Sequence, residues 1–186
     1  LLVLVVTAPA FIFFSQKGPG AMHAPWLISL AAGLVVGGLS QFSRLCTVGG
    51  FRDLFLFKKS ILIFGYLAVL IGVFVVNISF GNFHLGFENQ PIAHTDGLWN
   101  FLGMALAGFC SVLLGGCPLR QLIMTGEGNS DSAVTVLGLA AGAAFAHNFG
   151  LAATGAGPTL NGEIAVGVGF VVALIIAILN TKRVNA

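Results

Sequence analysis

The sequence predicts an all-α integral membrane protein with about six transmembrane helices and two short re-entrant or broken helices that carry cysteines. Three observations point there. Hydrophobic residues make up 57% of the chain and charged ones only 8%. A soluble domain carries about 25% charged residues, and so few cannot clothe a surface that faces water. The apolar residues gather into runs close to the length that crosses a hydrocarbon core, about 20 residues. These runs also lack the period-2 alternation of a barrel strand, and lipid demands that backbone polar groups be satisfied within the segment, which favours helix.

Six stretches qualify: Leu1–Ser15, Trp26–Phe42, Ser60–Phe80, Leu98–Gly115, Ala133–Ala153 and Ile164–Leu179, none with an Asp, Glu, Lys or Arg. The third is the clearest. The first has neither a basic leader nor a small-residue cleavage site, so it reads as a truncated membrane helix rather than a signal peptide. The chain starts at Leu1 and is expected to be one transmembrane domain over 1–186, either a processed form or part of a longer protein. Gly33 and Gly37, and Gly138 and Gly142, have the spacing that lets membrane helices approach closely, and packing is the expected role.

Basic residues orient the spans. Arg44, Arg52, Lys58 and Lys59 fall between the second and third, Arg120 between the fourth and fifth, and Lys182 and Arg183 after the sixth. The 81–97 and 154–163 connections have no Lys or Arg. The basic segments and the C-terminus are therefore expected on the cytoplasmic side of a cell inner membrane, with Lys17 as the exception.

The composition excludes several functions. A net charge of +2 is too small and too scattered for nucleic-acid binding, and six Asp and Glu residues leave little for carboxylate catalysis. Three cysteines without a CxxC pair argue against a zinc site or a thioredoxin-like motif. No metal or cofactor is expected.

Two segments do not fit a simple bundle. Leu45–Phe57 and Gly115–Gly128 are too apolar for exposed loops and too short to span, as re-entrant segments are. Short, glycine-interrupted segments in corresponding positions are also a pointer to a transporter's binding site. Each follows an apolar helix and has a cysteine at its break, Cys46 or Cys117, and an arginine soon after, Arg52 or Arg120. This is a weak internal repeat, about 26–80 and 98–153, whose two copies run parallel if every span is as drawn.

At the second break Pro118 suits the first position of a helix, which makes Cys117 an N-cap-like residue where N–H groups attract anions. At the first break Thr47 is a candidate cap, and Gly49–Gly50 permit close backbone approach. Gln121 is a candidate donor to an oxyanion, and Glu127 either pairs with Arg120 or faces water. His147 and Asn148, late in the fifth stretch, are intramembrane polar candidates for the pathway. Cys110 is expected to be buried and inert, although it would share a face with Cys117 if its helix continued. His23, His84 and His94 are read as surface residues, and Asp53 as the local partner of Arg52.

GGCPLRQL at Gly115–Leu122, continuing through GEGNSDSAVTVLG to AAFAHNFG ending at Gly150, resembles the YeeE/YedE membrane family, whose members carry the sulfur transport domain. LCTVGGFRD at Leu45–Asp53 supports the resemblance, and the second block looks closest to the branch associated with selenium metabolism. The resemblance implies an α-helical transporter, not an enzyme, in which short helices meet near mid-membrane. It implies that cysteines at the breaks, here Cys46 and Cys117, pass a thiosulfate-like anion along by S–H···S contacts, with no place for Cys110. Many such proteins are longer, so a second half or a second copy is an expected partner, alongside the bilayer and the sulfur or selenium solute. A soluble sulfur-carrier protein is a further candidate partner. A membrane thiol oxidoreductase, a non-catalytic membrane subunit and a generic anion channel are the competing readings.

Overall fold

The computed structural model describes Thr7, residues 24–86 and residues 94–184. It divides into two units, Leu1–Ser43 and Arg44–Ala186. The described part of the first holds the helix α1 (Trp26–Ser43). The second holds α2 (Thr47–Phe57), α3 (Ile61–Ser79), α4 (Gly97–Leu113), α5 (Pro118–Gly126), α6 (Ser130–Asn148) and α7 (Leu160–Val184). No strand occurs among the described residues; Thr154 and Gly157 form an isolated bridge.

Among the described residues four stretches are long and apolar enough to cross a membrane: Trp26–Phe57, Ile61–Ser79, Gly97–Gly126 and Leu160–Thr181. They take in the second, third, fourth and sixth expected spans. The expected Leu1–Ser15 span lies outside the described residues, apart from Thr7. The fifth is a helix, α6, that starts earlier than the apolar run, because Asn129 Oδ1 accepts the Ser132 N–H at 2.9 Å and draws a polar first turn into the helix. It also ends earlier, at Asn148. Gly150 takes φ +63° there, and the Leu151 N–H returns to the Ala146 carbonyl at 2.9 Å. With its Ser, Thr and Gly content, α6 is not among the four stretches.

The helices pack in few pairs. α2 lies on α3 and touches α4, α5 lies on α6, and α4 lies on α7. α3 has no buried residue, and large apolar side chains such as Ile61, Phe64 and Ile71 are exposed along it. Lipid is the solvent that tolerates such a surface, because its tails are as apolar as the side chains themselves. Among the described residues nothing packs on the glycine pairs: a Cβ at Gly33, Gly37, Gly138 or Gly142 would meet no described atom beyond its own stretch of helix within 4 Å.

Glycine is needed elsewhere. At Gly50 an added Cβ would sit 3.5 Å from the Ile63 nitrogen, the close α2–α3 approach that Gly49–Gly50 were expected to allow. Gly162, in the first turn of α7, is tighter, since its Cβ would stand 2.5 Å from the Leu151 carbonyl oxygen. The same junction satisfies the open end of α6: the Thr159 hydroxyl donates to the Gly150 carbonyl at 2.7 Å and Asn161 Nδ2 to the Phe149 carbonyl at 3.1 Å. Gly162→Ala is therefore expected to cost about 1–3 kcal/mol, as overpacked sites do. Thermal melts in detergent check this, and a variant melting with the wild type would refute it.

Candidate functional site

Two chain breaks meet. The first separates α1 from α2 and the second separates α4 from α5, and each ends on a cysteine that caps the short helix beyond it. The short helices are 11 and 9 residues long. At a rise of about 1.5 Å per residue neither reaches across a hydrocarbon core of about 30 Å.

The first cap corrects the expectation for Thr47. Cys46 is the N-cap, and its Sγ accepts the Gly49 N–H at 3.3 Å, so Thr47 is the first residue inside the helix. An extended residue just before the helix aims its side chain back at the open N–H groups, and here that side chain is the thiol. Close fit follows at Gly49, where a Cβ would stand 3.4 Å from Cys46 Sγ.

The second cap is as the sequence predicts. Cys117 is extended and Pro118 opens α5, but the sulfur closes no cap hydrogen bond. Its polar neighbours are instead the Arg120 N–H, the Thr47 hydroxyl and N–H, and the Cys46 thiol. The two cysteines, 6% and 9% exposed, thus lie side by side at the positive ends of two helices. With Ala173 they are the buried hydrophobic residues of the described chain.

Gln121 holds this arrangement. It is 4% exposed, and its Nε2 donates to the Leu114 carbonyl at 2.8 Å, bridging from α5 back across the break to the end of α4. One of the two amide N–H groups expected to serve an oxyanion is therefore engaged within the chain. Arg120 NH1 stands 3.8 Å from Glu127 Oε1, so those two pair, and Arg52 forks onto Asp53 at 2.9 and 3.0 Å.

Beside Cys46 opens a cavity of about 610 Å³ whose wall includes Arg44, Arg52, Arg120, Val112 and Met124. It therefore combines a thiol, a thioether, three cations and an apolar wall. Arg44 is the member that sequence reading missed; the signal was its place two residues before Cys46, matching Gly115 before Cys117.

Other candidates lie elsewhere. His147 and Asn148 are exposed and do not line this cavity; Asn148 Nδ2 bonds the Ala144 carbonyl of its own helix at 3.0 Å. Cys110 lines a separate apolar groove of about 1060 Å³ between α4, α6 and α7. It does not share a face with Cys117, because α4 stops at Leu113 and the chain turns before α5. His94, read as a surface residue, has its Nδ1 buried without a hydrogen-bond partner, beside Glu163 and Trp99. His23 lies outside the described residues.

The family described as "Sulphur transport" matches residues 42–182, which take in both cysteine caps and everything between them. The chain belongs to this sulphur transport family. The thiosulfate transporter TsuA of Escherichia coli (strain K12) is similar to this chain, 30% identical over 111 residues. The match covers 58% of this chain and 30% of that relative, so the chain spans less than a third of the relative's length. No solved structure matches it.

Proposed function

We propose that this chain is part of a membrane permease, not an enzyme, that passes a thiosulfate-like anion or its selenium counterpart across a cell inner membrane by weak non-covalent contacts. The observation that carries the reading is the meeting of the two cysteine caps, Cys117 having the Cys46 thiol and Thr47 as neighbours. A thiol is a weak donor and a weak acceptor, matched to a soft sulfur or selenium atom. Two such contacts in succession suit conduction, because tight binding would trap the solute. Arg52 and Arg120 raise the local concentration of anions. The thiols return unchanged after each passage.

The thiosulfate reading is also supported by membership of the sulphur transport family and by the likeness to a thiosulfate transporter. The positions of the basic residues support a cytoplasmic C-terminus. Sparse helix pairing, the open apolar groove and the 30% coverage of TsuA support a second half or a second copy as the partner that completes the pathway. The pattern of long helix, capping cysteine, short helix and long helix supports an internal repeat over about 26–80 and 98–153, within one transport domain. A soluble sulfur carrier at the cytoplasmic face is the partner to test next.

Uptake of labelled thiosulfate decides the matter in sulfur-limited cells that lack other thiosulfate routes. The expected result is uptake above the empty-vector level, competed by a selenium analogue and poorly by sulfate. Uptake equal to the empty vector at confirmed membrane expression would overturn the reading for this chain.

A further inference from the structure

We infer that the cavity beside Cys46 seats the oxyanion end of the solute, and that Arg44 is its anchor. The inference rests on the reading above for the identity of the solute, and on three further observations for the site.

The first is conformational. Arg44 has φ +53°, in the left-handed region that favours glycine. The second break makes the comparable turn with Gly115, at φ +74°. Both residues stand two positions before a cysteine that caps a short helix, and both line the same cavity. One turn uses the residue that backbone sterics favour, and the other keeps a long cationic side chain in spite of them. Lys58 shares this conformation at φ +53° as the C-cap of α2, but of the two only Arg44 lines the cavity, which is what gives its strained position a candidate task.

The second is charge. Three arginines line the cavity. Arg52 is committed to Asp53, and Arg120 faces Glu127. Arg44 forms no ion pair among the described residues. Its guanidinium has a fork of donors matched to two oxygens of an oxyanion.

The third is polarity along the cavity. Cys46 and the three arginines line the same cavity. A solute with a hard, charged oxyanion end and a soft sulfur end is matched there with its oxygens towards Arg44 and its sulfur towards the Cys46 thiol. A symmetric oxyanion such as sulfate would satisfy the arginine alone. Arg44 therefore sets affinity for the charge, and the cysteines set the preference for sulfur.

The test is equilibrium binding of thiosulfate and of sulfate to the purified full chain in lipid nanodiscs. Arg44→Asn, which tolerates the left-handed turn, is expected to weaken both anions about tenfold or more and to an equal degree, the loss of one charge-assisted contact. Arg44→Lys is expected to recover part of that loss. Arg44→Gly is expected to lose binding as Asn does while melting no lower than the wild type, an outcome that a purely structural arginine would not give. Unchanged binding in Arg44→Asn and Arg44→Gly, or failure of all the Arg44 variants to fold, would overturn the assignment. Cys117→Ser separates the two ideas, because it is expected to weaken thiosulfate and spare sulfate. If it spares both while Arg44→Asn weakens both, the cysteine reading fails and the oxyanion seat stands. If the wild type binds neither anion, both fall.

Discussion

Cys117→Ser is expected to lower thiosulfate uptake at least about tenfold, a change equivalent to about 1.4 kcal/mol, with membrane expression and melting temperature unchanged. The substitution keeps shape and hydrogen-bonding capacity. Ser is a favoured N-cap ahead of Pro118, so α5 should form as well as before. What changes is the atom that meets the solute, from large, polarisable sulfur to small, hard oxygen. Cys46→Ser should behave the same way and is the cleaner probe, because its sulfur already caps α2 through the Gly49 N–H, and a hydroxyl caps at least as well. Uptake assays beside thermal melts decide between outcomes. Two Ser variants that carry thiosulfate normally would mean that a hydroxyl suffices, and the pathway would be that of a generic anion channel. Normal uptake by Cys46→Ala and Cys117→Ala would mean that the cysteines serve packing alone.

Gln121→Leu is expected to destabilise the chain by about 1–3 kcal/mol and to reduce transport with it, because it leaves a buried acceptor unsatisfied. The Gln121 amide is the described hydrogen bond that ties the first turn of α5 back to Leu114 at the end of α4. Without it the Leu114 carbonyl loses its partner, and the break that aims Cys117 at Thr47 and Cys46 is free to open. Gln121→Glu should be worse at neutral pH, since it sets a carboxylate oxygen against a carbonyl oxygen in a site only 4% exposed. Thermal melts and uptake on the same preparations test this. If Gln121 instead serves only the solute, Gln121→Leu would lose transport at an unchanged melting temperature.

Much of the site was legible because it depends on local rules. Cys117 before Pro118 reads as a helix start, and the structure places an N-cap there. The Gly49–Gly50 pair reads as a close approach, and Gly50 lies against the backbone of Ile63. Thr47 was misread as the cap because hydroxyls are the usual caps, and nothing local says that the residue before it will turn its sulfur onto the Gly49 N–H. Arg44 was missed for a related reason: a basic residue after a membrane span reads as an orientation signal, and its left-handed backbone shows only in the structure. The glycine pairs of α1 and α6 were read as packing faces, yet no described neighbour lies against them. Spacing reports that a helix can be approached closely, not whether anything in the same chain approaches it.

By itself the sequence determined the solvent, the helical class, the two breaks and the cysteines that mark them. Each of these follows from composition or from interactions within a few residues. Only the tertiary structure decided that the breaks meet. Cys46 and Cys117 are separated by two long helices in the chain, and it is the packing of α2 against α4 that sets one thiol beside the other. The same packing put Cys110 in a different groove and left His147 and Asn148 outside the site. Periodicity fixes which face of a helix a residue occupies, but which helix comes to lie against that face depends on contacts between residues far apart in the chain.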